Sequence, residues 1–225
     1  MRLKHIKGSE EVMLTSPHIT QEPQTLRGAW KRPGEKLFLE IGMGKGQFIT
    51  QKASADPDNI YIGIEKYSSV MLRAVEKQEQ LMLPNLRLIR VDAEQMGEIF
   101  APGEVDAVFL NFSDPWPKDR HAKRRLTSPQ FLVRYAQILA PGGSVEFKTD
   151  NMALFDYSVE SFRSSGWKIT ALTRDLHADP VLSAGNIMTE YEERFSSKGN
   201  PIAKLIAVPP VGLSNICYTP LNEFL

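Results

Sequence analysis

Acidic residues recur along this sequence at one kind of position. Glu40, Glu65, Asp92, Asp114 and Asp150 each lie at or just beyond the end of a short apolar run: LFLEI, IYIGI, LRLIRVDA, VDAVFLNF and SVEFKT. Such runs, bounded by turn residues, read as buried strands, and ligands of an open α/β sheet sit beyond the carboxyl ends of its strands. One acid there is a helix cap or an accident. Five in succession read as the rim of a site.

Asp114 opens the densest stretch of the chain, FSDPWPKDRHAKRR from Phe112 to Arg125. Pro115 and Pro117 fix their own φ and hold the residues before them extended, so the Asp114 carboxylate, the Trp116 indole and Lys118 sit on a stiff loop. Transfer between two bound reactants needs such pre-positioning. Five of the eight residues from Lys118 to Arg125 are basic. Cations for phosphates beside a ring for stacking make up a nucleic-acid contact surface.

Upstream, Leu37 to Phe48 reads as a strand, a turn with glycines at 42, 44 and 46, and the start of a helix. Backbone N–H groups of such a turn are expected to converge on one point, suited to a nucleotide-like ligand. A dinucleotide fold wants a third glycine at the sixth position of its motif, where this chain has Gln47. Glu40 precedes the turn; a carboxylate repels phosphate but attracts an ammonium or a sulfonium. The pattern therefore points to S-adenosylmethionine rather than a nicotinamide dinucleotide. Glu65 follows the glycines by about 20 residues, where a doubly wound fold sets an acid on a ribose.

The elements that must position these residues follow from periodicity. Apolar runs alternate with helical stretches at Ser68 to Met82, Pro129 to Leu139 and Ala153 to Ser164, a βαβα order that implies an α/β fold. Ser68 is the expected cap of its helix. TEYEERF and PIAKLIAV, flanking the turn-like SSKGN, are expected to form an edge hairpin. The chain divides into an irregular basic arm (1–35), one domain (36–208) and a tail (209–225). At 225 residues and 42% hydrophobic composition, one sizeable core is expected. Lys plus Arg equals Asp plus Glu at 27 each, so overall charge selects no partner. A single cysteine, Cys217, rules out an intrachain disulfide. With neither a signal-peptide pattern nor a run approaching about 18 apolar residues, a cytoplasmic protein with no membrane partner is expected.

The chain closely resembles the tRNA (guanine-N7)-methyltransferases. The resemblance rests on EIGMGKG at Glu40 to Gly46, GIEKY with RAVEK downstream, FSDPWPKDRHAKRR, FKTDN at Phe147 to Asn151 and TEYEERFSSKG at Thr189 to Gly199. It implies a Rossmann-like class I methyltransferase fold, a mostly parallel seven-stranded sheet with an antiparallel last strand and helices on both faces. It also implies that Glu40, Gly42, Gly44, Gly46, Glu65, Asp92 and Asp114 bind S-adenosylmethionine, with Asp114 catalytic as well. Lys118, Asp150, Thr189, Glu190, Tyr191 and Glu192 would meet a guanine of the variable loop. Arg120, His121, Ala122, Lys123, Arg124 and Arg125 would touch the tRNA. No metal and no DNA partner are expected, and monomer and homodimer both stay open. The rival readings are a methyltransferase acting on an exocyclic amine of a base, and a non-catalytic RNA-binding module.

Overall fold

A computed structural model describes residues 6–210 of the chain. The apolar runs form strands β1 (Leu37–Ile41), β2 (Ile60–Glu65), β3 (Leu86–Arg90), β4 (Val105–Asn111), β5 (Leu139–Thr149), β6 (Lys168–Thr173) and β7 (Ala203–Val208). Between and before them lie helices α1 (Ser9–Thr15), α2 (Gln47–Ala55), α3 (Ser68–Leu81), α4 (Met96–Ile99), α5 (Pro129–Ile138), α6 (Met152–Ser164) and α7 (Glu190–Ser196). All strands join one sheet in the order β3-β2-β1-β4-β5-β7-β6. The first five run parallel, and β7 is antiparallel to both its neighbours. The order reverses between β1 and β4, which is where such a sheet opens a crevice.

Strand alternation assigns side chains to two layers. Leu39, Ile41, Val108 and Leu110 pack with Ile99, Leu132 and Phe155 from α4, α5 and α6. On the other face, Tyr61 and Leu88 pack with Met13, Ile49 and Met71 from α1, α2 and α3, and Phe109 meets Phe48 at 5.1 Å between rings. The same alternation puts Glu40, Asn111 and Lys148 on this second face, near its upper end.

Three expectations change. The segment before β1 is more ordered than its composition implied: it carries α1, and Thr20 N–H donates to Leu88 O at 2.9 Å beside the edge strand β3. Trp30 is buried, its Nε1 donating to Ile99 O at 3.0 Å, while the Glu104 carboxylate accepts from the N–H groups of Gly28, Trp30 and Ala101. These anchors are single residues, so no periodicity announces them. Second, TEYEERF is helical rather than extended. Thr189 caps α7, its Oγ1 accepting from Glu192 N–H at 3.0 Å, and Thr-x-x-Glu is a known helix-start spacing. The antiparallel partner of β7 at the edge is β6 instead. Third, Tyr67 holds the cap position of α3, and the Ser68 hydroxyl donates to Glu10 Oε1 at 2.6 Å. The tail from 211 onward, and Arg2, Lys4 and His5 of the arm, lie outside the described residues.

Candidate active site

The glycine turn is built differently from the expected amide nest. Gly42 and Met43 N–H groups donate to Ile64 O at 2.9 and 3.0 Å, and Gly46 N–H donates to Met43 O at 2.9 Å. Gly44 N–H instead donates to Glu65 Oε2 at 3.1 Å. The amides thus tie the turn to β2 and orient a carboxylate. Gly46, at φ 77°, lets the turn lie against α3, since a Cβ there would stand 2.7 Å from Ala74 Cβ. Gly42, at φ 72°, faces open space, on the side where the cleft lies.

Two acids flank this turn. Glu40 is 1% exposed; its Oε1 accepts from Asn111 Nδ2 at 2.8 Å, and its Oε2 has no partner among the described residues. Burial pushes this carboxyl up to about 8, against the opposing pull of Asn111 and Lys148. Glu65 is raised as well, by burial, although the N–H groups of Lys66 and Tyr67 on Oε1 and of Gly44 on Oε2 favour its ionised form.

A cleft of about 1080 Å³ opens beyond the strands. Gly42, Glu65 and Asp92 line one part of it, and Asp114, Trp116 and Arg124 another. Asp92 caps the turn after β3 through Glu94 N–H at 3.1 Å and pairs with Lys66. Burial opposes its ionisation, but Lys66, the Glu94 N–H and the Arg134 charge together outweigh it and leave the carboxyl below its usual range.

The loop carrying Asp114 is held under strain. Phe112 and Trp116 adopt φ of 54° and 41°, a region non-glycine residues rarely occupy, so Trp116 is not extended as its place before Pro117 implied. Arg125 fixes the loop from behind, donating from Nε to Pro115 O and from Nη2 to Trp116 O, each at 3.0 Å, with its guanidinium 4.2 Å over Tyr157. It therefore faces inward. Lys118, Arg120, Lys123 and Arg124 are exposed, while His121 and Ala122 are half-buried. Arg124 lies 5.1 Å over the Trp116 ring and His121 meets it edge-on.

A second cluster adjoins the cleft through Phe112. The Phe112 and Tyr191 rings are 5.0 Å apart, and Tyr191 Oη donates to Asp150 Oδ2 at 3.2 Å. Glu190 accepts from Lys77 of α3 at 2.6 Å. Glu192 is turned away, fully buried, with Oε2 taking Lys148 Nζ at 2.6 Å and Oε1 taking Asn186 Nδ2 at 2.7 Å. The structure thus brings Glu65, Asp92 and Asp114 to one cleft, sets Asp150 and Tyr191 beside it, and keeps Glu40 beneath and Glu192 behind.

A family profile described as "Putative methyltransferase" matches residues 34–205. A tRNA (guanine-N(7)-)-methyltransferase of Lachnoclostridium phytofermentans is 54% identical over 210 residues, covering 92% of this chain and 98% of that protein. The chain belongs to this methyltransferase family. The Bacillus subtilis enzyme of the same name is 44% identical over 206 residues, covering 90% of this chain and 96% of its own. Among solved structures, the 16S rRNA methyltransferase KamB superposes with a TM-score of 0.60 at 18% identity, covering 85% of this chain and 95% of its own. The methyltransferase Kmr gives 0.56 at 17%, covering 80% and 90%. At these identities the two solved structures speak for the fold.

A class I methyltransferase uses S-adenosylmethionine, and the residues present suit that molecule. Oε2 of Glu40 makes no hydrogen bond among the described residues, although the Ile49 N–H favours the ionised carboxyl, and the cleft carries two further carboxylates, Glu65 and Asp92, close to the glycine turn. Two residues beside the site, Asn111 and Lys148, went unread in the sequence, and Gln47 was read only as a departure from the dinucleotide motif. Gln47 Nε2 donates to Met188 O at 3.1 Å and to Glu193 Oε1 at 2.7 Å, joining the glycine turn to α7. The signal for Lys148 was present, because a lysine in a strand facing the protein interior is rare without a partner.

Proposed function

We propose that this enzyme transfers the methyl group of S-adenosylmethionine to N7 of a guanine in the tRNA variable loop, in the cytoplasm where tRNA is found. The observation that carries it is the strained, proline-locked loop that sets Asp114 and Trp116 on the cleft wall and leads directly into an exposed basic strip. Glu40, Glu65 and Asp92, with Gly42, Gly44 and Gly46, would hold the cofactor, which supplies an electrophilic methyl carbon on a sulfonium.

Guanine N7 has a lone pair and no proton, so the chain needs no general base. What it must handle is charge, since the purine becomes cationic as the bond to carbon forms. Asp114 and Asp150 face that charge and stabilise it electrostatically. A carboxylate here also accepts from guanine N1–H and N2–H, a pair of donors that adenine lacks, and so selects the base. Thr189, Glu190 and Tyr191 complete the wall with Lys118. Glu192 acts indirectly, given its burial. Arg120, His121, Ala122, Lys123 and Arg124 receive tRNA phosphates, and Arg125 supports their loop.

The test is incubation with methyl-labelled S-adenosylmethionine and unmodified tRNA transcripts, locating label by the strand cleavage that N7-methylated guanine permits. Label at one variable-loop guanine is the expected result. Label on an exocyclic amine, or none in RNA, would overturn the reading.

A further inference from the structure

Lys148 lies on β5 with its side chain on the face shared by Glu40 and Asn111, and is 3% exposed. Its ammonium donates to Glu192 Oε2 at 2.6 Å, to Asn186 Oδ1 at 3.0 Å and to Ile187 O at 3.0 Å. All three acceptors belong to the segment 186–192, which ends in the first turn of α7. Asn186 also donates to Glu192 Oε1 at 2.7 Å, which closes the group. A charge buried to this degree is costly unless every hydrogen is received, and here all three are.

Other ties of the segment are few. Ile187 packs against the cluster of Phe48, Ala107 and Phe109, and Phe48 and Phe109, with Lys52, Asn111, Glu146 and Lys204, line a hollow of about 170 Å³ beside 184–187. His177 Nε2 lies 3.4 Å from Glu192 Oε1, Gln47 reaches Met188 O and Glu193, and Lys77 reaches Glu190. Two residues along from Lys148 on the same chain stands Asp150, which receives Tyr191 Oη. Lys148 thus sets the distance between β5 and α7, and with it the Asp150–Tyr191 pair.

We propose that Lys148 is a positioning residue for the methyl acceptor: by gathering Glu192, Asn186 and Ile187 O onto one buried ammonium, it holds α7 against the site so that Tyr191 and Asp150 form the acceptor wall. This rests on the functional reading given above. Of the carboxylates assigned to the cofactor, Glu65 and Asp92 lie outside the group, and Glu40 feels the Lys148 charge but is hydrogen-bonded to Asn111 instead, so loss of Lys148 falls on acceptor handling before cofactor handling.

The test compares the full-length protein with Lys148→Met, which keeps the aliphatic stem, and with Asn186→Ala, a half-buried loop residue. Expected for Lys148→Met is a fall of about 100-fold in kcat/KM for tRNA, the size that a displaced binding wall produces, with the Kd for S-adenosylmethionine within about threefold of wild type. Amide hydrogen exchange should rise by about tenfold across residues 187–196 and stay unchanged in α2 and β4. Asn186→Ala should show the same pattern to a smaller degree, which keeps the proposal testable should Lys148→Met fail to fold. Equal losses of cofactor affinity and turnover in Asn186→Ala, or unchanged exchange at 187–196 in both variants, would overturn it. Wild-type protein that labels no guanine would overturn the functional reading instead, and the exchange experiment would still decide whether Lys148 holds α7.

Discussion

Asp114 and Glu40 are both proposed for one site, and their surroundings differ: Asp114 lines the cleft and Glu40 lies beneath it. Asp114 is exposed on the cleft wall; Asp114→Ala should reduce kcat by about 100-fold or more, as loss of one electrostatic stabiliser does elsewhere, while Kd for tRNA and the thermal midpoint hold. A variant turning over at the wild-type rate would remove Asp114 from the mechanism. Glu40 is buried and raised to about 8. Its folded value lies above the unfolded one, so between about pH 5 and pH 8 the native state binds more protons and the unliganded protein loses stability as pH rises. Glu40→Gln removes this slope: its unfolding free energy relative to wild type should improve from pH 5 to pH 8, by a few kcal/mol at most. Parallel curves would mean that Glu40 is ionised throughout. Binding a cationic ligand at pH 7 should also expel a proton from Glu40, seen as buffer-dependent binding heat that Gln abolishes. The five acids were legible because their positions follow strand periodicity. Which of them is buried was not, since that depends on Asn111 and Lys148 lying across the sheet.

Among elements, the glycine turn shows what spacing does and does not convey. The strand, turn and helix over Leu37–Ala55 were readable from apolar runs and glycines. The fate of the amides was not, because Ile64 O and Glu65 arrive from β2. Gly46→Ala and Gly42→Ala separate the two demands made on the turn. Both residues have positive φ, costing roughly 1 kcal/mol in any side-chain-bearing residue. Only Gly46 would also drive a Cβ into Ala74, adding about 1–3 kcal/mol of overpacking. Urea titration should therefore rank Gly46→Ala well below Gly42→Ala in stability, and the reverse order would contradict the packing of α3 on the turn. The α7 segment was misread as a strand because T-E-Y-E-E-R-F alternates charge with aromatic residues, while its Thr189-x-x-Glu192 cap favoured helix. The cap decided.

At the scale of the whole molecule, charge is balanced at 27 of each sign, yet the basic residues beside the cleft are clustered and exposed. Replacing Lys123 and Arg124 with Ala should weaken tRNA binding and lower the slope of log affinity against log salt by about 2, one per phosphate contact, with cofactor affinity unchanged. An unaltered slope would place the tRNA elsewhere. The alternation of strands and helices made the sheet legible from sequence. The arm was not, since Met13, Ile19 and Trp30 are isolated anchors whose partners, such as Ile99 and Leu88, lie far along the chain.

The strand order also has a bearing on synthesis. Among the described residues β7 is the last strand made, yet it lies between β5 and β6, so a growing chain completes Thr173 with β5 and β6 unjoined. During that interval β5 offers an open edge, and Glu146 and Lys148 stand on it as charges that disfavour pairing with a stranger. The two residues later meet Lys204 and Glu192. Charges that serve the finished enzyme thus also disfavour mispairing of the nascent one until β7 pairs with β5.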